Sequence, residues 1–325
     1  MKHSNLKIVI VGAGVAGITA AARLKAAGVN ATIFEKSRSV GGRLATRQTR
    51  TGYQFDHGVQ FFGAQSNAFR TELESGSWAD NVDIWSPDGT VSDKKQKIYV
   101  GTPIMKQPII SIAEGLNVRV NTRIEQIERH GKEWVLSVEG ENASINADMV
   151  IVSVPSVQAQ EITKTSKKLR ADLSKVRMEP CWAFMIAFDQ RTDAPFSILE
   201  PSHSIFSKIA RTSSKPGRDQ TVETWVAHAN PAWSVANLEI NEQDAISMLM
   251  PAFLEQMPTD CPKPAYIAAH RWRYANVAQA AKQPFLADET NTLFAIGDWC
   301  LGDRVECAFE SGCHVADHIL RLADG

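Results

Sequence analysis

The spacing of apolar residues at the start of the chain predicts a strand, a helix and a second strand. Ile8–Val11 is an unbroken run of β-branched residues, as in a strand that is buried on both faces of a parallel sheet. Residues 18–27 are rich in alanine and are followed by Gly28, the pattern of a helix that ends at a glycine. Ala31–Phe34 is the next apolar run. The pattern therefore predicts a βαβ unit.

Further apolar runs predict strands along the rest of the chain. Four of them follow one another in the middle of the chain, at residues 119–127, 134–138, 143–145 and 148–154. Apolar positions alternate at residues 184–188, and a similar alternation occurs at residues 222–226. Both patterns predict strands of a sheet that floors a pocket. Residues 291–296 predict one more buried strand.

A glycine motif fills the turn between the first strand and the first helix. Gly12 allows a tight turn, Gly14 allows a pyrophosphate to approach the backbone, and Gly17 allows the helix to pack closely on the strand. The start of the helix, which includes Ala16, presents free N–H groups to phosphates. Glu35 ends the second strand, where a carboxylate accepts hydrogen bonds from ribose hydroxyls and disfavours a 2′-phosphate. These features predict a dinucleotide site.

A second glycine pair follows this acid. Lys36 comes directly after Glu35, and Gly41-Gly42-Arg43 follows in the same loop. Glycines let a backbone approach a ligand closely, and an arginine offsets phosphate charge. In this order the motifs resemble the flavin-containing amine oxidase superfamily, in which the stretch lies along the diphosphate and ribityl chain of FAD. The resemblance implies that Lys36, Gly42 and Arg43 contact FAD.

The C-terminal part of the chain carries the matching half of such a site. A predicted strand leads into Gly297-Asp298-Trp299, and a helical stretch follows. In the superfamily the aspartate holds a ribityl or phosphate-proximal oxygen. The N terminus of the helix there faces the flavin pyrimidine edge, where reduced flavin carries negative charge. The resemblance implies non-covalent FAD with contacts from Asp298, Arg304, Val305, Glu306 and Ala308.

The run Asp56-His57-Gly58-Val59-Gln60 resembles the segment that crosses the flavin ring in the renalase branch of this superfamily. The resemblance implies FAD contacts from His57, Gly58, Val59 and Gln60. We expect Gly58 to let the backbone approach the isoalloxazine. The candidates for a catalytic role are His57, Gln60 and Trp299.

Four further segments resemble bacterial renalase-type proteins, namely residues 100–103, 180–183, 231–234 and 270–275. Renalase-like enzymes take hydride from 1,2- or 1,6-dihydro forms of NAD(P) and pass the electrons to O2, releasing NAD(P)+ and hydrogen peroxide. The resemblance therefore implies a reduced pyridine nucleotide isomer and O2 as partners. Two alternatives stay open: a flavin amine oxidase acting on a small amine, and a non-catalytic flavin-binding or redox-sensing protein.

The sequence departs from the family pattern at several points. Cys307 stands where the family commonly has glycine, and Glu310 replaces an apolar residue. No counterpart of the active-site lysine of monoamine and polyamine oxidases is evident. Arg271 and Arg273 are candidates to meet substrate phosphates, or else solvated charges. Residues 213–217 predict an exposed turn.

The motifs and the resemblance together predict an α/β fold, with a Rossmann-type FAD-binding domain and an inserted substrate domain built on an antiparallel sheet plus helices. We assign residues 1–68, 100–155 and 289–325 to the FAD-binding domain. Residues 69–99 and 156–288 are assigned to the substrate domain.

Composition narrows the remaining function classes. The 325 residues carry a net charge of −1, so a nucleic-acid partner, which needs a basic surface, is not expected. No apolar run approaches the ~18 residues of a membrane span, so no membrane contact is expected. Five scattered cysteines favour a reducing, cytoplasmic location. His314 and His318 are four residues apart, but further ligands are missing and no metal site is predicted.

Overall fold

The structure is a computed structural model that describes residues 6–88, 97–140 and 144–324. Residues 1–5, 141–143 and 325 of the predicted FAD-binding domain lie outside the described residues, and so do residues 89–96 of the predicted substrate domain. No helix within the described ranges has the length and apolar character needed to cross a bilayer.

A six-stranded sheet forms around the N-terminal strand. In spatial order its strands are β17 (Leu286–Ala287), β18 (Leu293–Ala295), β11 (Met149–Val152), β1 (Ile8–Val11), β2 (Ala31–Phe34) and β7 (Asn117–Arg119). All pairs are parallel except β17 with β18. The central strand, β1, is buried throughout, as the β-branched run predicted, because helices at residues 15–26 and 305–324 cover one face and a small sheet that includes residues 124–138 covers the other.

Helix α1 (Val15–Ala26) joins β1 to β2, which completes the predicted βαβ unit. It begins three residues before the predicted start at residue 18. The alanine-rich stretch marks the middle of the helix, whereas its start is set by Gly14, which has an extended backbone conformation at the N-cap. The other α-helices of the described residues are α2 (Asn67–Ser75), α3 (Gln107–Ala113), α4 (Ser156–Ile162), α5 (Lys167–Leu173), α6 (Pro231–Ala236), α7 (Glu242–Leu254) and α8 (Val305–Asp324).

A five-stranded antiparallel sheet forms the second layer. Its strands, in spatial order, are β13 (Ile198–Leu199), β14 (Phe206–Arg211), β15 (Glu223–Ala229), β12 (Arg177–Phe188) and β16 (Tyr266–Gln279). One face packs in a core with α7, where Phe184 and Trp225 meet Phe253. The other face contributes Met185 and Val226 to a small cluster with Phe55. The alternating patterns at residues 184–188 and 222–226 therefore predicted this sheet correctly.

Three small sheets complete the fold. A meander follows β7, with β8 (Ile124–His130), β9 (Glu133–Val138) and β10 (Ser144–Ala147), and leads into β11. The pairs β3 (Arg47–Gln48) with β4 (Gln54–Phe55) and β5 (Val82–Trp85) with β6 (Ile98–Gly101) flank the segment around residue 60. Helix α8 returns to pack on α1. This mixed architecture confirms the predicted α/β fold class.

Candidate functional site

The turn after β1 has the geometry that its glycines predicted. Gly12 has a φ of +105°, and a Cβ there would lie 2.3 Å from the carbonyl oxygen of Ser153 at the end of β11. A Cβ on Gly17 would lie 2.2 Å from the Gly12 oxygen. At Gly14, by contrast, a Cβ would meet nothing within 4 Å. Two of the glycines are therefore required by packing, while the third faces open space.

The second glycine pair lies against this turn. Gly41 and Gly42 have φ values of +109° and +53°, in the region that favours glycine. The Gly41 N–H donates to the Ala13 oxygen at 2.9 Å, and a Cβ on Gly42 would lie 3.4 Å from the Gly14 Cα. The two glycine turns are thus neighbours, although about thirty positions separate them in the chain.

The carboxylate of Glu35 is buried beside the glycine turn. Its two oxygens accept hydrogen bonds from the N–H groups of Ala13 and Ser37, each at 2.8 Å. The bonds fix the acid at the end of β2 and leave further lone pairs on each oxygen. Lys36 points away to solvent, with its Nζ 3.3 Å from the Gln158 side chain.

Arg43 connects the N-terminal and C-terminal halves of the predicted site. Its guanidinium donates to Asp298 at 2.5 Å and to the carbonyl of Ala275 at 2.9 Å. The neighbouring residue, Trp299, is fully buried in the core, and its indole N–H donates to the Val154 oxygen at 3.0 Å. Trp299 therefore has a packing role here and presents no free polar atom for the catalytic role considered above.

Most side chains at the start of α8 are buried within the protein. The Glu306 carboxylate is buried and accepts from the N–H groups of Gln65 and Ser66 at 3.0 and 2.6 Å, so it anchors the chain ahead of α2. Val305 is buried, Ala308 is half-buried and Arg304 is exposed. Cys307, where the family pattern has glycine, is buried, and burial raises the pKa of its thiol. Glu310 is half-buried one turn further along.

The segment at residues 56–60 lies between the loop at Arg43 and strand β15. A Cβ on Gly58 would lie 1.9 Å from the Arg43 oxygen, so the packing of this segment on the loop at Arg43 already requires glycine at this position. The Gln60 amide donates to the Val226 oxygen at 2.8 Å. Among the described residues, two buried side-chain atoms of this segment have no hydrogen-bond partner: His57 Nδ1 and Gln60 Oε1.

Three ring side chains gather around His57, and the four residues form what we call the ring cluster: His57, His228, His270 and Trp272. The His57 ring stacks on Trp272, with centroids 5.3 Å apart, and meets His270 edge-on at 5.0 Å. The Trp272 indole N–H donates to the His57 carbonyl at 2.9 Å, and His228 Nε2 lies 3.3 Å from the same oxygen. Burial lowers the pKa of His57 to about 4 and that of His228 to about 3. Both imidazoles are therefore neutral near pH 7.

Sequence reasoning did not assign His228, His270 or Trp272 to the site. For His270 and Trp272, the side-chain alternation of β16 could have indicated a shared position, because the two residues lie two positions apart and face the same side of the strand. Arg271 and Arg273, which the sequence left as either phosphate contacts or solvated charges, are on the opposite side. There Arg273 pairs with Glu239 through contacts of 2.7 and 2.8 Å, and Arg271 donates to the Leu238 oxygen. The structure thus gives both arginines other partners.

The chain turns at residues 213–217 as predicted, but the predicted exposure of this turn is wrong for most of its residues. Lys215 is fully buried, and Ser213 is also buried. Lys215 Nζ lies 2.9 Å from an Asp56 carboxylate oxygen, and Arg218 donates to the same oxygen at 2.9 Å. The small polar residues of the turn indicated a loop, but the buried carboxylate that draws the lysine inward is more than 150 positions away in the chain.

These residues fit FAD. The uncapped start of α1 and the open side of Gly14 offer N–H groups and room for a pyrophosphate. The carboxylate of Glu35 is fixed beside the glycine turn and keeps lone pairs that can accept from ribose hydroxyls. The two unpartnered atoms of His57 and Gln60 lie in the segment expected to border the ring system. A polar group is needed there, because buried polar atoms are rarely left unpaired.

Comparison with known proteins agrees with this geometry. Residues 10–72 match the NAD(P)-binding Rossmann-like domain, and residues 83–320 match the family of flavin containing amine oxidoreductases. Putrescine oxidase has a similar structure, with a TM-score of 0.76 at 11% identity over 97% of this chain and 99% of its own. Cyclohexylamine oxidase from Brevibacterium oxydans IH-35A has a TM-score of 0.74 at 12% identity over 98% and 100% of the two chains. At these identities the likeness concerns the fold alone.

Curated relatives match over shorter segments. Phytoene desaturase from Neurospora crassa is 52% identical over 92 residues, which are 25% of this chain and 16% of the relative. A 4,4'-diapophytoene desaturase from Staphylococcus aureus is 47% identical over 53 residues, 16% of this chain and 10% of the relative. The chain thus matches only a small part of either desaturase. The match over residues 83–320, well over half of the chain, shows that this protein belongs to the flavin containing amine oxidoreductase family, a family of flavin-dependent oxidoreductases, and its cofactor is FAD.

Proposed function

We propose that the protein is an FAD-dependent oxidase of renalase type. Its substrates would be 1,2- or 1,6-dihydro isomers of NAD(P)H, which lose a hydride and become NAD(P)+. The two electrons, together with two protons, convert O2 to H2O2. FAD supplies this chemistry when bound, as acceptor of the hydride and donor of electrons to O2.

We further propose how the chain holds FAD. The N–H groups at Gly14 and Ala16, beside Gly12 and Gly17, bind the pyrophosphate, and Glu35 accepts from the adenosine ribose. Arg43 and Asp298 border the ribityl chain, and the backbone at the start of α8 lies at the pyrimidine edge. The domain division into residues 1–68, 100–155 and 289–325 against 69–99 and 156–288 follows from this assignment.

The observation that carries the choice of substrate is the chemistry of the ring cluster. Its members present flat aromatic surfaces, and at least His57 and His228 are uncharged near neutral pH. None of the hydrogen bonds or ion pairs of the described residues joins the rings of His57, His270 or Trp272 to a carboxylate. A planar, uncharged dihydronicotinamide suits such a slot, whereas an alkylammonium group would favour an acidic partner.

The role of the ring cluster in this reaction is to orient the substrate. Hydride transfer needs alignment of donor and acceptor carbons and no protein acid, so positioning supplies most of the contribution from the chain. The Trp272 N–H and His228 Nε2 meet at the His57 carbonyl and hold the residue 57–60 segment in place.

Anaerobic titration of the purified, FAD-loaded protein tests the proposal. We expect dihydronicotinamide isomers to bleach the flavin absorbance rapidly and small amines to leave it unchanged. His270→Ala should slow bleaching at least about tenfold, because a misaligned donor reacts slowly. Arg273→Ala, which alters the opposite side of the same strand, is the control and should react like the wild type.

Each other result is informative. Bleaching by a primary or secondary amine would replace the proposal with an amine oxidase on the same scaffold. A yellow protein that neither substrate class bleaches would support a non-catalytic flavin protein. A protein that binds no FAD on reconstitution would contradict the whole assignment.

A further inference from the structure

A buried group of three charges lies directly behind the ring cluster, and we call it the charge cluster: Asp56, Lys215 and Arg218. The side chains of Asp56 and Lys215 are 0% exposed and that of Arg218 is 1% exposed. Lys215 Nζ and Arg218 each lie 2.9 Å from the same oxygen, Asp56 Oδ2. The other oxygen, Oδ1, accepts from the Thr46 hydroxyl at 2.7 Å. One carboxylate thus pairs with two cations.

The charge cluster carries an excess of positive charge at neutral pH. The neighbouring cations hold the pKa of Asp56 down at about 2 despite its burial, so it is ionised. Burial lowers the pKa of Lys215 to about 8, which leaves it mostly protonated at pH 7. Arginine stays charged throughout this range. Two positive charges and one negative charge give the charge cluster a net charge of +1.

The charge cluster connects the segments that surround the proposed flavin. Asp56 is the residue before His57, and Thr46 lies in the loop that follows Arg43. Lys215 and Arg218 come from the connection between β14 and β15, in the antiparallel sheet. The charge of Lys215 also contributes to the lowered pKa of His228 in the ring cluster. Because Asp56 directly precedes His57 in the chain, the charge cluster and the ring cluster are neighbours.

Stability alone is a poor explanation for this arrangement. Removing charges from water is unfavourable, and buried ion pairs are often replaced by apolar residues of similar volume without loss of stability. A buried positive excess, however, stabilises negative charge that develops nearby. A flavin gains negative charge on reduction, so a cation close to it favours the reduced form.

We propose that Lys215 and Arg218 are positioning residues that act through Asp56. They hold the segment at residues 57–60 against the flavin, and their excess positive charge makes the flavin easier to reduce. The inference rests on the proposed FAD site but not on the proposed substrate.

The test compares variants by net charge in the charge cluster. Lys215→Met makes it neutral, Lys215→Arg keeps it at +1, and the double variant Asp56→Asn with Lys215→Met also keeps it at +1. Each is loaded with FAD, and its midpoint potential and its affinity for sulfite, which adds to electron-poor flavins, are measured. Lys97→Met is the control, because Lys97 pairs with Glu74 at the exposed surface.

We expect Lys215→Met to weaken sulfite binding about tenfold and to shift the reduction equilibrium about tenfold, which for a two-electron couple is about 30 mV to more negative potential. The two variants that keep the charge should stay within about threefold of the wild type in both measurements, and so should Lys97→Met. If Lys215→Met does not fold, Arg218→Met takes its place, because it also removes one positive charge beside Asp56.

The proposal is overturned by a folded, FAD-loaded neutral variant with the potential and sulfite affinity of the wild type, or by an equal shift in Lys97→Met. Failure of dihydronicotinamide to bleach the wild type, with the predicted potential shift still present, would overturn only the substrate assignment. Failure of the wild type to bind FAD would overturn both.

Discussion

The glycine turn at residues 12–17, which we call the nucleotide turn, and the ring cluster are built on opposite principles. At the nucleotide turn the atoms proposed to bind the pyrophosphate are backbone N–H groups, and the side chains are absent: Gly12 and Gly17 have no room for a Cβ, and Gly14 leaves its space open. At the ring cluster the functional surface consists of large side chains, with His57 stacked on Trp272, and a buried ion group lies behind it. One region depends on local backbone geometry, and the other depends on residues brought together by the fold.

This difference separates two sources of stability. A backbone turn is specified by a few adjacent residues, so a change there acts through steric contact within the turn. The charge cluster joins segments far apart in the chain, with Asp56 paired to Lys215 across more than 150 positions. A change there affects the contact between the segment that follows β4 and the five-stranded sheet. We expect the largest loss of stability at the charge cluster.

Asp56→Asn tests that expectation. It preserves side-chain volume but leaves Lys215 and Arg218 buried without a counter-charge, and breaking a buried pair in this way typically costs about 3–5 kcal/mol. We expect the free energy of unfolding, measured by urea denaturation at pH 6.5, to fall by that amount. The loss should be smaller at pH 9, where Lys215 can release its proton.

Glu74→Gln is the matched control, because Glu74 forms an ion pair with Lys97 that is exposed on both sides. Exposed pairs typically contribute under about 1 kcal/mol. Equal losses in the two variants would mean that the charge cluster contributes no more than a surface pair, and the contrast between the two regions would fail.

The same contrast explains what could be predicted from the sequence. The strand, turn and helix around Gly12 follow from apolar spacing and glycine positions, and their predicted places are close to those observed. For Lys215 the loop-like composition of Ser-Ser-Lys-Pro-Gly predicts an exposed turn. Its burial depends on the carboxylate of Asp56, and no local pattern contains that information.

The ring cluster lies between these cases. The alternation of β16 indicates that His270 and Trp272 share one face and that Arg271 and Arg273 share the other. The pattern does not indicate which face is covered, because this depends on the segment at residues 57–60 packing against one side. A motif that names residues 270–275 together therefore mixes two environments that the sheet separates.

At the nucleotide turn, Gly17→Ala and Gly14→Ala separate packing from ligand binding. A Cβ at Gly17 would overlap the Gly12 oxygen, so we expect the FAD-free protein to lose about 1–3 kcal/mol of stability, as overpacked sites do. Gly14→Ala should leave the FAD-free protein nearly unchanged, because no atom lies near its Cβ. Its methyl would point into the space proposed for the pyrophosphate, so FAD affinity should fall at least about tenfold.

Thermal unfolding without FAD and fluorescence titration with FAD measure the two effects separately. Reversal of the pattern, with Gly14→Ala unstable and Gly17→Ala tolerated, would contradict the described turn. Unchanged FAD affinity in Gly14→Ala would place the pyrophosphate elsewhere while leaving the turn geometry intact.

The smallest predicted effect concerns acid sensitivity in the ring cluster. His57 and His228 have folded pKa values of about 4 and 3, both below the ordinary value of 6.5. As the pH falls from 6.5 towards 4, the unfolded chain binds protons at these residues that the folded protein does not bind, so stability is full above pH 6.5 and falls below it. Each histidine contributes a slope of at most about 1.4 kcal/mol per pH unit.

The stability of His57→Gln should therefore depend less on pH between 6.5 and 4, whereas His314→Gln, at an exposed position, should follow the wild type. Denaturation curves at half-unit pH steps test this. Parallel curves for wild type and His57→Gln would mean that His57 is protonated as readily in the folded protein as in the unfolded chain, and the neutral slot on which the choice of substrate rests would lose its support.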